Sequence, residues 1–305
     1  MTFLPPSWSR LTLWGEQGFW RLTQVAGLAV VTLLVGIVVQ IGSLAWPAIE
    51  RFGFSFWLTV IWDPVRGEYG ALALLWGTAI SSLLALLIAV PMGVGTAILL
   101  SEDILPLSLR RGLTPCVDLL AGIPSVVYGY WGAVVLNPWL HQLGIWLSGQ
   151  GWITLRIGTS GSLLAAGCLL GIMIVPIISA VGRQSLLALP PEWREASLAV
   201  GASRWTTIWR VLLPGARSGI GAGILLGLAR AMAEAMAVTM VIGNANRLPR
   251  SLGDPSNTLA AVLANQFAEA TGLQVAALMY VGLILFGLVL VVGLVAEGIR
   301  PGSPH

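Results

Sequence analysis

Lysine is absent from the 305-residue sequence, and all sixteen basic residues are arginine. That absence excludes chemistry built on an ε-amine: a G-x-x-x-x-G-K-[ST] phosphate loop, a pyridoxal phosphate lysine or a retinal Schiff base. If the protein uses ATP, another subunit binds it. Cysteine and histidine are nearly as scarce, at two each. Cys116 and Cys168 fall inside apolar stretches and read as buried small hydrophobes. His141 and His305 lie far apart, so no metal-ligand spacing exists. No metal, cofactor or nucleic-acid partner is expected. Charge is the third scarcity: 10% of residues are charged and 56% are hydrophobic, where a soluble domain carries about 25% charged residues. The polar surface is too small to cover soluble domains, so most of the outside must face lipid.

Six apolar runs are present, near 24–46, 71–100, 113–136, 161–182, 219–243 and 272–296. A span needs about 20 residues. The second is long enough to tilt, or to break near Pro91. The first run exceeds a signal-peptide core and has no A-x-A cleavage site, so it is read as retained. An even number of spans puts both termini on one side. With cytoplasmic termini, Arg10, Arg21, Arg110, Arg111, Arg183, Arg194, Arg204, Arg210, Arg217 and Arg300 lie inside. Arg51, Arg66, Arg156, Arg247 and Arg250 lie outside, and this ten-to-five bias favours that orientation. Trp46, Trp57, Trp62, Trp139, Trp146 and Trp152 in the outer connections read as interfacial anchors. The expected organisation is a cytoplasmic segment 1–23, a first span with its outer loop 24–70, a core 71–296 containing a cytoplasmic loop 183–217, and a tail 297–305. No connection is long enough for a soluble domain.

The loop between the fourth and fifth spans reads LPPEWREASLAVGASRWTTIWRVLLPGARSG over residues 189–219. Pro190 and Pro191 open a short helix and Gly201 stops it; Pro214 is expected to break the chain before the next span. Trp193, Ala196, Ser197 and Val200 fall on one helix face, which suits either a partner's groove or the lipid surface.

In the fifth span Gly219, Gly223, Gly227, Ala231, Ala235, Thr239 and Gly243 recur every fourth residue, drawing a ridge that admits a neighbouring helix closely. Beside it Arg230 and Glu234 are four apart, about 6 Å along the axis. A charge at mid-span costs about 2.5 to 3.5 kcal/mol even on the lenient insertion scale, so neither faces lipid. Two readings stay open: a mutually neutralising pair that fixes packing, or an arginine lining an anion path with Glu234 holding it when the path is empty. A carboxylate could also accept a hydrogen bond from hydrogen phosphate, which fully deprotonated sulfate cannot supply. Asp118, in the third span, is within reach of Arg110 or Arg111; Pro124 should kink that span, and Tyr128, Tyr130 and Trp131 either pack or line a path.

Glu195-Ala196-Ser197, Gly201 and Val211-Leu212-Leu213-Pro214 resemble the EAA loop of binding-protein-dependent ABC importer permeases, with Ser197 standing where the family usually has alanine. IPSVVYGYWG at 123–132, LSED at 100–103 and RAMAEAMAVTMVIGN at 230–244 are similar to the PstC family of phosphate permeases, over most of residues 70–296. Ala233 replaces the glycine of the usual R-A-x-G-E, which thickens the helix at one point. The resemblance implies an all-α polytopic bundle of six transmembrane helices in the bacterial inner membrane, acting as a non-enzymatic subunit of a phosphate importer. Glu195, Ala196, Ser197, Gly201 and Pro214 would couple to the ATPase, and Arg230 and Glu234 would belong to the substrate pathway. Its implied partners are a homologous permease (PstA), an ATPase dimer (PstB), a periplasmic phosphate-binding protein (PstS), inorganic phosphate and membrane lipid. The rivals are a molybdate or sulfate permease, an intramembrane enzyme acting on a lipid phosphate, and an ion-coupled carrier. The last two should show clustered acids or a histidine base, and inverted halves with discontinuous spans, respectively.

Overall fold

A computed structural model describes residues 6–150 and 157–299, with side chains from residue 18 onward; Trp152, Arg156 and Arg300 lie outside them. The chain begins with α1 (Pro6–Phe52), so residues 6–23 continue the first spanning helix. A cap follows, made of α2 (Ser55–Leu58) and a two-stranded hairpin of β1 (Trp62–Asp63) and β2 (Glu68–Tyr69). Then come α3 (Leu72–Ser101), α4 (Leu107–Leu120) and α5 (Ser125–Trp131), which runs through a π turn at Gly132–Leu136 into α6 (Asn137–Gly149). The second half holds α7 (Leu163–Leu187), α8 (Pro191–Ala199), α9 (Arg204–Thr207), a π turn at Ile208–Leu212, α10 (Leu213–Met232), α11 (Met236–Val241), α12 (Leu259–Gln266) and α13 (Leu273–Ile299).

Among the described residues five helices are long and apolar enough to cross a membrane, and counting one bent pair as a span gives six. That pair corrects the third span. In place of a kinked helix over 113–136, α4 and the α5–α6 helix meet at 90°. Pro124 has extended ψ at 138° and no N–H, so it starts a new helix instead of bending an old one. The Tyr128 hydroxyl donates to the Leu120 carbonyl at 3.0 Å, satisfying an acceptor at the end of α4. Pro91, by contrast, sits inside the unbroken α3.

The centre of the bundle is α7, with α3 on one side and α10 on another, and glycines set both approaches. A Cβ at Gly167 would lie 2.6 Å from Leu84 Cβ, and one at Gly93 would lie 2.8 Å from Ile178 Cβ. On the α10 side, Gly219, Gly223 and Gly227 face Ser185, Val181 and Ile178 of α7. The small-residue ridge thus packs α10 within its own chain, as close glycine contacts allow. It is not continuous to Gly243, because α10 ends at Met232. The outer flank is α1, whose most apolar window has no buried residue and which leans on α13.

Two of the expected interfacial tryptophans point inward. Trp62 Nε1 donates to Gln266 Oε1 at 2.8 Å, and Trp57 Nε1 to the Tyr280 hydroxyl at 3.0 Å. These bonds tie the cap to α12 and α13, while Trp46, Trp139 and Trp146 stay exposed. Cys168 is half-buried, but Cys116 is exposed, against the sequence expectation, because α4 buries none of its residues.

Candidate functional site

Two places carry the sequence-derived candidates, and they lie at opposite ends of one helix. The first is the end of α10. The Ala233 N–H bonds Ala229 and the Glu234 N–H bonds Ala231 at 3.4 Å; the chain then turns at Ala235 and restarts as α11. Glu234 therefore occupies a helix break. Its carboxylate spans both halves: Oε2 accepts from Arg230 Nη1 at 2.9 Å, and Oε1 accepts from the Ala237 N–H at 3.3 Å, an orphan donor of α11. Ala233 is exposed in the C-cap position at φ −86°, so it thickens no packed face. Beside the break, Gly129 of α5 approaches Ala237 and Met240 so closely that a Cβ would lie 2.9 Å from Ala237 Cα.

The second place is the loop from α8 to α10. Gly201 has φ +84°, its N–H bonds the Leu198 carbonyl, and the Ala202 N–H bonds the Ser197 carbonyl. This is a Schellman cap, and only the backbone dictates glycine, since nothing lies within 4 Å of a Cβ built there. Glu195 and Ala196 are exposed. Ser197 is not part of an outward face with them: its Oγ lies 2.9 Å from Thr207 Oγ1 and ties α8 to α9. Trp193 leans over Gly215, where a Cβ would lie 2.6 Å from its ring. Pro214 does not break the chain. Residues Arg204–Met232 run as one helix, because the π turn at Ile208–Leu212 shifts the hydrogen-bond register just before the proline.

Sequence reasoning missed what anchors this loop. Arg194 donates to both Glu102 oxygens, at 3.2 Å from Nε and 2.9 Å from Nη2, and Nη2 also reaches the Leu186 carbonyl at 2.8 Å. Arg204 Nη1 donates to the Asp103 carbonyl at 2.7 Å. The end of α3, the end of α7 and α8 are thereby joined through one guanidinium. The signal in the sequence was the adjacent acids Glu102 and Asp103 of the LSED segment. Asp118 likewise pairs with Arg183 at 3.5 Å, not with Arg110, which bonds Asp103 at 3.1 Å. The bend after α4 turns Asp118 toward α7.

At the other end, the segment after α11 folds back over the start of α7. The N–H groups of Leu163 and Leu164 bond the carbonyls of Asp254 and Leu252, satisfying donors that helix geometry leaves open. Asp254 Oδ2 accepts the N–H groups of Arg250 and Ser251 at 2.8 and 3.0 Å. Partial burial works against its charge, but these bonds, the Ser251 hydroxyl and nearby Arg247 outweigh it and hold the carboxyl below its ordinary range. Among the described residues no group of three or more His, Cys, Asp or Glu side chains gathers as a metal site would.

Residues 89–301 match the family described as binding-protein-dependent transport system inner membrane component. The chain belongs to this family. Within it the chain groups with the PstC permeases. It is 39% identical over 281 residues to the phosphate transport system permease protein PstC of Haemophilus influenzae, covering 90% of this chain and 89% of that one. It is 36% identical to the probable PstC of Methanocaldococcus jannaschii, with 82% of each chain covered. The fold is that of importer permeases. A bacterial alginate ABC importer matches with TM-score 0.60 at 17% identity, over 94% of this chain and 98% of that chain. The MetNI methionine transporter matches with TM-score 0.51 at 19% identity, over 78% and 96%. The permease is thus a multi-pass inner-membrane transport subunit and not an enzyme.

Proposed function

We propose that this permease is the PstC-type subunit of an ATP-driven phosphate importer, and that the anion passes beside Arg230 at the break between α10 and α11. The observation that carries the pathway is the asymmetry of the ion pair: the Glu234 side chain is 3% exposed and the Arg230 side chain 48%. A pair serving packing alone hides both ends. Here the guanidinium is turned out of the chain, where it meets an anion or the second permease, while the carboxylate is fixed from behind by α11. The planar donor fork suits a tetrahedral oxyanion, and Glu234, buried with both oxygens bonded, orients that fork from behind.

The phosphate assignment itself rests on the relatives, whose names state phosphate transport. Partners follow on the same ground: a PstA-like permease, a PstB-like ATPase dimer and a PstS-like phosphate-binding protein. The arginine bias supports a cytoplasmic position for the termini and the α8–α10 loop. Glu195, Ala196, Gly201 and Pro214 belong to the docking surface for the ATPase, and Ser197 holds that surface in shape. Closure of the ATPase dimer moves α8, and the guanidinium of Arg194 passes that motion to α3 and α7, rocking the spans between inward and outward opening.

The test is ATP-dependent uptake by the reconstituted complex, comparing labelled phosphate with sulfate and molybdate. Saturable phosphate uptake that neither competitor reduces is expected. Transport of sulfate or molybdate at the phosphate rate would remove the substrate assignment and leave the importer class standing.

A further inference from the structure

Helix α4 has a composition without a use in the scheme above. It buries none of its residues; Leu107, Leu109, Leu113, Leu119 and Leu120 are all exposed, yet it carries Arg110 and Arg111. It meets the spanning α5–α6 helix at 90°. A helix with an apolar side and a basic side, set across the direction of its spanning neighbour, lies along the membrane surface. Between it and the ends of α3 and α7 is an open cleft of ≈ 460 Å³ lined by Leu100, Leu107 and Leu187 together with Arg110, Arg111 and Arg183.

The arginines of the cleft are incompletely neutralised. Arg110 bonds Asp103, which is 87% exposed, and Arg183 bonds Asp118 at 3.5 Å. No ion pair of Arg111 occurs among the described residues. Three guanidinium groups thus face two carboxylates, and neither carboxylate lines the cleft. An excess of positive charge beside exposed leucines selects an amphiphilic anion. We propose that the cleft binds an anionic phospholipid of the cytoplasmic leaflet, its phosphodiester held by Arg110, Arg111 and Arg183 and its acyl chains lying on the leucines. The guanidinium forks match phosphate oxygens, and the cytoplasmic leaflet is the anionic one. Inorganic phosphate offers the same headgroup chemistry but leaves the leucines uncovered. The proposal rests on the cytoplasmic placement of this end.

Exposed Cys116, beside the cleft residues Thr114 and Pro115, reports on it directly. In a Cys168→Ser background the assembled complex is labelled at Cys116 with a fluorophore and reconstituted with spin-labelled phosphatidylglycerol or spin-labelled phosphatidylcholine. Phosphatidylglycerol should quench preferentially, and the preference should fall about fivefold for each arginine removed in Arg111→Gln and Arg111→Gln/Arg183→Gln. Arg111→Lys/Arg183→Lys should retain most of it, which guards against a folding defect in the glutamine variants. Equal quenching by both lipids, or a preference unchanged in the double glutamine variant, would overturn the site. Absence of quenching by either lipid would mean a protein partner covers α4, and loss of the preference on adding inorganic phosphate would make free phosphate the ligand; each rejects the lipid. Reaction of Cys116 with an impermeant maleimide added outside intact cells would reject the cytoplasmic placement separately.

Discussion

Arg230 and Glu234 meet across the end of α10 at 2.9 Å, and one of them is buried while the other is half open. Single substitutions are therefore unequal. Arg230→Gln strands a buried carboxylate, whereas Glu234→Gln leaves a guanidinium that reaches the open side. The arginine variant should lower the thermal unfolding midpoint of the detergent-solubilised complex more than the glutamate variant does. The reverse order would mean that the guanidinium is the confined member.

Glu102 and Arg194 form a two-pronged pair that joins α3 to α8. Separating them should loosen the link between the loop and the spans without touching either the anion or the nucleotide. Glu102→Arg is expected to leave ATP hydrolysis running while uptake per ATP falls about tenfold, as for loss of a charge-assisted bond pair. Restoration by the exchanged pair Glu102→Arg with Arg194→Glu, measured as the ratio of uptake to hydrolysis, would show that the pair acts as a unit. Equal losses of uptake and hydrolysis would reduce it to a folding contact.

Gly201 is required by conformation alone, since a Cβ there meets nothing. At φ +84° a β-branched residue is penalised most, so Gly201→Val should disrupt the α8 cap and ATPase association, Gly201→Asn should be tolerated, and Gly201→Ala should fall between, costing about 1 kcal/mol. Co-purification of the ATPase subunit orders the three. Indifference to valine would show that the cap is dispensable for docking.

The segment after α11 depends on pH through Asp254. Its carboxyl is held below the ordinary value of 3.8, so the charged form favours the folded loop; this contribution is present above that ordinary value and is lost as pH falls through the lower folded one. Amide exchange at Arg250 and Ser251 should accelerate as pH falls through that folded value, relative to the intrinsic rate, and Asp254→Asn should show fast exchange at neutral pH. Protection unchanged in the variant would remove the carboxylate from the loop's support.

Much of this was legible in the sequence because lipid imposes a simple rule: apolar runs of spanning length mark the helices, and the charges left inside mark what is special. Arg230 and Glu234 stood out on that ground, as did Gly201 on turn chemistry. The breaks were less legible. Pro91, Pro124, Pro176 and Pro214 look alike in sequence, yet of the four only Pro124 opens a separate helix, and Pro214 is absorbed behind a π turn. Proline states which hydrogen bond is missing, but tertiary packing decides whether the helix continues without it. The break at 233–235 contains no proline or glycine, and pairings such as Glu102 with Arg194 depend on where three helices end together.

The most direct test of the central claim, that the anion passes beside Arg230, is phosphate uptake by the double variant Arg230→Gln/Glu234→Gln in the assembled complex. Removing both charges relieves the stranded carboxylate, so assembly and ATP hydrolysis should return to near wild type. With the anion contact gone, uptake should remain abolished. Restored phosphate uptake in the double variant would contradict the account and leave the two residues as a packing pair.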